Sequence, residues 1–117
     1  MTTQISPNLS KVEIATFSIQ FLLPVGSNDT FTLLQSAPFS FVIDKAIYQS
    51  ASGTVTANVQ IEAVSVTGLN ALAVSSTEGN TSSSAANTVA VGDKITLITT
   101  ANTTAVMSSI CIECTKT

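Results

Sequence analysis

The chain lacks the side chains on which most enzyme chemistry depends. It has no histidine, no tryptophan and no arginine, so the usual activator of a serine or cysteine nucleophile is absent. No motif places one of its four lysines beside a serine to replace it. The seven carboxylates are scattered singly, which is typical of solvated charge and not of a glycosidase acid and base pair: Glu13, Asp29, Asp44, Glu62, Glu78, Asp93 and Glu113. We therefore predict a protein that is not an enzyme and has no catalytic residue.

Charge of either sign is also scarce. Charged residues make up 9% of the chain, against about 25% in an ordinary soluble domain. A net charge of −3 argues against nucleic-acid binding, which needs basic side chains to displace the counterions of phosphates. Serine and threonine are abundant instead, and a hydroxyl-rich surface is weakly protected against association. This composition fits either a surface covered by a partner or a plain threonine-rich β exterior.

The two cysteines, Cys111 and Cys114, form a CxxC pattern that invites a redox or zinc interpretation. The alternation from Val106 to Cys114 predicts a strand, where residues three apart lie about 10 Å apart and point to opposite faces. A disulfide needs Cα atoms within about 7 Å, and zinc needs four ligands. We predict two unpaired cysteines, no metal site and no cofactor. Gly92-Asp93 predicts a turn in preference to a calcium ligand.

No feature of the sequence indicates a membrane or a secreted protein. The apolar runs are too short to span a bilayer, and we expect no signal peptide because no cleavable apolar segment precedes the predicted fold. The four Asn-X-Ser/Thr sequons are therefore interpreted as chance matches. Unpaired cysteines and the missing signal peptide together favour synthesis in a reducing cytosol.

The clearest pattern is the stretch from Pro38 to Val66. Within Gly53–Ala63, apolar and polar residues alternate, which puts one face of a strand in a core and the other in water. The apolar members are Val55, Ala57, Val59, Ile61 and Ala63. A partner run carries Phe39, Phe41 and Ile43, and then its phase becomes unclear, with Ala46 and Tyr48 on one side and Ile47 on the other. Ser50–Gly53 supplies turn residues, so we predict a central hairpin.

Similar patterns predict the remaining strands. A change of phase at Ile14–Ala15, inside the first of them, indicates a bulge or a strand passing between sheets. The polar stretch Ser76–Asn87 is expected to be an exposed loop, and Ala101–Thr104 a turn. The further predicted strands are Lys11–Leu23, Thr30–Gln35, Asn70–Ser75, a brief one within Thr88–Asp93, Lys94–Thr99 and Ala105–Thr115.

The predicted fold is all-β, with about eight antiparallel strands in a two-sheet sandwich. Turns at intervals of roughly 8–12 residues make a jelly-roll the leading topology, with an immunoglobulin-like order and a small barrel left open. We assign a polar N-terminal arm to residues 1–10 and a single domain to residues 11–117. The aromatic residues are expected in the core: Phe17, Phe21, Phe31, Phe39, Phe41 and Tyr48.

Four segments resemble the small β-sandwich modules of tailed-bacteriophage virions. A strand of the form FxIxKA (Phe41–Ala46) and a strand that starts with glycine (Gly53–Ile61) form a hairpin in that family. A V-x-x-GD-x-I segment (Val89–Ile95) then leads to a closing strand (Val106–Cys114). The resemblance leaves out the first 35 residues. It implies a capsid decoration (cement), head-fibre, tail-fibre or baseplate protein that is commonly trimeric and works through its surfaces, and it transfers no site residues.

The leading functional hypothesis is a non-enzymatic virion structural protein, a decoration protein that binds the capsid surface as an oligomer. Its expected partners are other copies of itself, in a trimer, and the major capsid protein, with no nucleic acid and no membrane. The alternative is a glycan-binding or structural module of a tail fibre, head fibre or baseplate. A glycan-binding module would use the Ser76–Asn87 loop or a sheet face, with an exposed aromatic such as Tyr48.

Overall fold

A computed structural model describes residues 16–117, which form nine strands and no helix. All pairings between these strands are antiparallel. This confirms the predicted all-β, antiparallel class. The strands are β1 (Thr16–Val25), β2 (Thr30–Leu34), β3 (Phe41–Gln49), β4 (Ser52–Ile61), β5 (Val64–Ser65), β6 (Leu72–Val74), β7 (Gly79–Ser82), β8 (Thr88–Val89) and β9 (Ile95–Lys116).

The 22-residue strand β9 organises the sheet, since β1, β2, β3 and β4 all pair with it. Val106 lies between Val25 of β1 and Ser52 of β4, while Ser109 lies between β1 and β3. Because β1 runs unbroken past both positions, β3 and β4 must lie end to end along the opposite side of β9. The predicted central hairpin is therefore wrong. Both predicted strands, β3 and β4, are present, but Ser50–Gly53 bends the chain between them and does not reverse its direction.

In the second half of the sequence, too, the chain continues where a turn is predicted. The predicted turn at Ala101–Thr104 is wrong, because β9 continues through it without reversing. Ala101, Thr104 and Met107 have positive φ, at 52°, 48° and 52°, and the ladder with β4 shifts register twice opposite this stretch. Such shifts mark β-bulges, which bend a strand and increase its twist. We call residues 101–107 of β9 the waist.

Two glycines let neighbouring chain segments approach the waist from its two sides. A Cβ on Gly26, between β1 and β2, would lie 2.9 Å from the carbonyl oxygen of Ala105. On the β3–β4 side, a Cβ on Gly53 would meet the carbonyl oxygen of Thr104 and the amide of Ala105. Gly53 also has φ +72°, a conformation that costs residues with a Cβ. The waist thus joins a β1/β3 half, paired with residues 106–116 of β9, to a β2/β4 half, paired with residues 95–106.

Short strands extend each half on the side of β3 and β4. Strands β7 and β8 pair with β3, and strands β5 and β6 pair with β4. The predicted loop Ser76–Asn87 is thus partly wrong: it is largely exposed, but its residues 79–82 form β7. Beyond β7, the Ser83 hydroxyl donates to the carbonyl oxygen of Ile43 at 2.6 Å, and Asn87 Nδ2 donates to the same oxygen. These side-chain hydrogen bonds hold the polar stretch against β3.

One apolar face of the sheet forms the core, which we call the inner face. The alternation predicted around Val55–Ile61 is confirmed, whereas Ala63 is exposed in the turn between β4 and β5, where its φ is +66°. In β3 the unclear phase has a cause: a register shift between Ile43 and Lys45 leaves Asp44 exposed while Ala46 remains buried. The core residues with the largest fully buried side chains are Phe41, Ile43, Leu69, Leu72, Ile95, Leu97 and Ile112.

The arrangement is one connected, curled sheet, since β1 to β4 pair with β9 and the four short strands pair with β3 or β4. The predicted division into two sheets of a sandwich is not confirmed. The described residues extend over 58 × 26 × 23 Å, with the long axis expected from a strand of 22 residues even after bending at the waist. The predicted arm at residues 1–10 and the phase change at Ile14–Ala15 lie outside the described residues.

Candidate interaction surface

Four of the six carboxylates within residues 16–117 form isolated structural contacts. The Glu113 carboxylate lies 3.7 Å from Lys45 Nζ across the strands, and Asp44 accepts a hydrogen bond from the Thr115 hydroxyl at 2.5 Å. Asp93 accepts a bond from the Ala90 amide, as expected of the predicted turn, and Glu62 accepts one from the Lys94 amide. Within residues 16–117, no group of three or more His, Cys, Asp or Glu is placed to hold a metal ion.

Both cysteines are free thiols, as predicted. Cys114 pairs with Phe17 and Ile43 on the inner face, whereas Cys111 pairs with Gln20 and Ile47 on the opposite, outer face. Burial, followed by the nearby charges, raises the pKa of the Cys114 thiol from 9.0 to about 12, because the charged thiolate is poorly solvated there. A thiol that stays protonated is a poor nucleophile, so Cys114 serves as a small core residue.

The aromatic side chains lie against the core and not on an open platform. Phe41 is fully buried and packs edge-to-face on Phe17, with 4.9 Å between ring centroids. Tyr48 is only 8% exposed, its hydroxyl is 2.7 Å from that of Thr81, and the backbone of Gly79 lies directly on its ring. The exposed tyrosine required by the glycan-binding alternative is therefore absent from this position.

The most open structural element of the described chain is the edge strand β1. Its ten residues carry no ionisable side chain, and within residues 16–117 they pair only with β9. Its inner-face residues are half-buried, and its outer-face residues are exposed. The inner-face set is Phe17, Ile19, Phe21 and Leu23, and the outer-face set begins with Thr16, Ser18, Gln20 and Leu22.

A cluster of exposed apolar side chains continues from this edge onto the waist. Val25 is 75% exposed and lies directly opposite Val106 in the ladder. Leu22 is 51% exposed beside Ser109, and Met107 shares a shallow cleft of about 260 Å³ with the same serine. A second cleft of about 410 Å³ lies on the other side of Ser109, between β1 and β9. We call Leu22, Val25, Val106 and Met107 the waist patch.

Sequence reasoning assigned these four residues to strands or turns and did not foresee the patch. The signal was nonetheless present in two pairs of adjacent apolar residues, Leu22-Leu23 and Val106-Met107. Since neighbours in a regular strand point to opposite faces, one member of Leu22-Leu23 must face away from the core. Val106 and Met107 are both exposed, because the positive φ of Met107 interrupts the alternation there. Exposed apolar side chains that gather into a patch, unlike single ones, are typical of interaction sites.

Comparisons with known proteins give only distant structural likenesses. No family model matches the chain, and neither does any curated protein. A structure of infectious bursal disease virus, Gx strain, is 14% identical at a TM-score of 0.43, over 86% of this chain and 32% of that one. A chain of the T13 particle of the same virus is 11% identical at a TM-score of 0.45, over 84% and 30%. This chain thus spans about a third of those chains, and none of the reported structures is from a tailed phage.

Within residues 16–117, no helix is long and apolar enough to cross a bilayer.

Proposed function

We propose that the chain is a non-enzymatic structural protein of a virion, a decoration protein that binds the outside of a capsid and stabilises the shell. The observation that carries the proposal is the waist patch beside the uncharged edge of β1. The patch is suited to binding a capsid by burial of apolar area, and the open edge of β1 is suited to pairing with another copy of the chain. The sequence resemblance to phage virion modules supplies the kind of partner.

The physical mechanism is the burial of apolar surface against the shell by each of many bound copies. Apolar surface removed from water contributes about 25 cal/mol per Å², so each copy that lies across two capsid subunits adds a modest stabilisation. A shell carries many such contacts, and an oligomer that binds several subunits at once gains effective concentration. The major capsid protein and other copies of this chain are the partners in this proposal. The resemblance implies a trimer, but the mechanism requires only an oligomer.

The test is co-sedimentation of the purified chain with capsids of its parent phage that have been stripped of accessory proteins. The proposal predicts saturable pelleting in a fixed ratio to the capsid subunit. A chain that stays in the supernatant at every concentration contradicts decoration. That outcome favours a module of a fibre or baseplate, and an array of glycans would then separate a sugar-binding module from a purely structural one.

Matched variants assign the binding to the waist patch. Val25→Asp places a charge in the patch, whereas Val64→Asp places the same charge on another exposed valine, 58% exposed at the far end of the β2/β4 half. We expect Val25→Asp to weaken pelleting at least tenfold while Val64→Asp pellets as the unmodified chain does. Equal pelleting of both variants contradicts the role of the patch.

The arm at residues 1–10 stays part of the proposal as an anchor to the shell. Removal of these residues is expected to abolish pelleting while thermal unfolding of the domain is preserved. Pelleting that is unchanged without the arm would contradict the anchor but leave the waist patch as the binding surface.

A further inference from the structure

Strand β1 lacks most of the features that usually protect the edge of a sheet, and its one proline, Pro24, is the ninth of its ten residues. Charged side chains, short length and bulges blunt edge strands against pairing with other chains. β1 has ten residues and no charge, and its ladder with β9 keeps a constant register from Thr16 to Val25. β2, the corresponding edge strand of the other half, has five residues and a register shift between Thr32 and Leu34.

We propose that β1 pairs antiparallel with β1 of a second copy of this chain, about a two-fold axis at Gln20. The proposal rests on the self-association named in the proposed function, and it is independent of binding to a capsid. One such contact would cover the open edges of both copies at once, as isologous interfaces do.

The residue pattern of β1 is self-complementary in this register. Antiparallel pairing about Gln20 joins residues whose numbers sum to 40, so that inner-face residues meet inner-face residues. Phe17 would then lie opposite Leu23 of the copy, and Ile19 opposite Phe21. The half-buried inner row of β1 would become a continuous apolar row of eight side chains across the two chains, and aromatic and β-branched cross-strand pairs of this kind stabilise sheets.

The outer face fits the same register. Gln20 is exposed, and on the axis it would face its own copy. An amide carries both donors and an acceptor, so two of them can bond to each other. Ser18 would lie opposite Leu22 of the copy. Because β1 has no ionisable side chain, the pairing would bring no two charges of β1 together.

Charge also favours this edge over other places for a second copy. Two copies of a chain with net charge −3 repel each other wherever their carboxylates approach. Two acids share a cleft with the first residues of β1. Glu113, opposite Ser18, lies beside Lys45, which offsets its charge. Asp44 accepts a hydrogen bond from Thr115, opposite Thr16. The ladder between two β1 strands would therefore form without like charges directly opposite, which are destabilising in sheets.

The test introduces a charge at Gln20, the residue on the proposed two-fold axis, in the full-length chain. Gln20→Lys puts two lysines opposite each other in a pair of identical chains, and Gln20→Glu does the same with two carboxylates. Mass by sedimentation equilibrium should give a dimer for the unmodified chain. Each variant alone should dissociate at least about fivefold more readily. An equimolar mixture of the two variants should restore the dimer, since the opposite charges then face each other.

Asn80→Lys is the matched control, because Asn80 is exposed on β7, at the far side of the same sheet. It should leave the dimer unchanged. An unmodified chain that is monomeric at all concentrations overturns the proposal. So does an oligomer of any number, trimers included, whose mass is the same with Gln20→Lys, Gln20→Glu and Asn80→Lys. Capsid pelleting by the unmodified chain, measured beside its mass, separates the two failures: an oligomer that is unaffected by charge at Gln20 but pellets with capsids fails this contact alone, and a dimer that does not pellet fails the decoration role alone.

Discussion

The two halves of the molecule share one strand and one kind of core but differ on their outer faces. In the β2/β4 half, hydroxyl and amide side chains cover the outer face, with Ile98 as the apolar exception among them: Thr30, Thr32, Thr56, Asn58, Gln60 and Thr96. In the β1/β3 half, Leu22, Ile47 and Cys111 stand on the outer face, and the waist patch adjoins them. The outer face of the β2/β4 half is thus mostly polar and suited to water, whereas the β1/β3 half places several apolar residues on its outer face.

The edges of the two halves differ in the same direction. β2 is short and bulged, whereas β1 is long, regular and uncharged. Exposed apolar residues beside an open edge are costly in a free monomer and useful in an assembly. This difference teaches that the core alone does not account for the sequence of β1. The proposed pairing with a second copy would account for its uncharged, apolar residues.

The largest expected effect tests whether the halves are one folding unit. Ile112→Ala in the β1/β3 half and Leu97→Ala in the β2/β4 half each remove a fully buried side chain and should cost about 2–5 kcal/mol. Because β9 runs through both halves, each variant should still unfold in a single transition in urea. Two separated transitions, one moved by each substitution, would show halves that fold independently.

The next effect concerns the waist that joins them. Gly53→Ala introduces a Cβ at φ +72°, against the backbone of Thr104, and should lose about 2–3 kcal/mol more stability than Gly92→Ala. Gly92 has φ +91°, but nothing lies within 4 Å of a Cβ built on it, so it reports backbone strain alone. Equal losses in urea unfolding would mean that the waist relaxes without cost.

A smaller difference in stability is expected between the removal of two buried hydroxyls, that of Thr99 in the β2/β4 half and that of Ser108 in the β1/β3 half. Thr99 Oγ1 donates to the carbonyl oxygen of Ser27 at 2.5 Å and accepts from the Asp29 amide at 3.0 Å, so Thr99→Val should cost about 1–3 kcal/mol. Ser108 Oγ is buried without a hydrogen-bond partner among residues 16–117, and Ser108→Ala should leave stability unchanged or raise it. A costly Ser108→Ala, measured by the same urea unfolding, would mean that an ordered water bonds this hydroxyl.

The smallest effect distinguishes the two faces of the β1/β3 half by thiol chemistry. At pH 8 a thiol reagent should label Cys111 and spare Cys114 until the protein unfolds, and Cys111→Ser should abolish labelling of the native state. The raised pKa of Cys114, about 12 against 9.0, also predicts the direction of a pH effect. The stability contributed by the protonated thiol is full below about pH 9 and is lost as the pH rises towards 12. Cys114→Ala should remove that part of the alkaline loss.

The positions of the main strands and their buried faces could be predicted from the sequence, whereas the pairing of the strands could not. Alternation located β3, β4 and both ends of β9, because the inner and outer positions differ in hydrophobicity. The two wrong turns, at Ser50–Gly53 and Ala101–Thr104, face each other across the waist. Glycine, serine and asparagine favour bends of any kind, and their chemistry does not say whether the chain reverses or bends and continues.

The candidate surface was foreseen only in its general character. Low charge predicted a surface open to association, but its position depends on which face of β1 lies outward and on where β9 bends. Tyr48 shows the converse case. Its predicted place in the core is confirmed, so it is not the exposed aromatic that the alternative function would use. The strand that covers it, β7, was not predicted, because a stretch as polar as Ser76–Asn87 gives no sign that it will add a strand to the sheet.

The shared strand β9 has a consequence for synthesis of the chain. β1 to β4 leave the ribosome before their common partner exists, and translation at roughly 5–20 residues per second separates β1 from the second half of β9 by several seconds. Hairpins can form in microseconds, so this delay is very long for an uncharged apolar strand with nothing to pair with. Nascent β1 strands on neighbouring ribosomes of one message are then each other's nearest available partners. Chaperone binding during translation should therefore concentrate on β1.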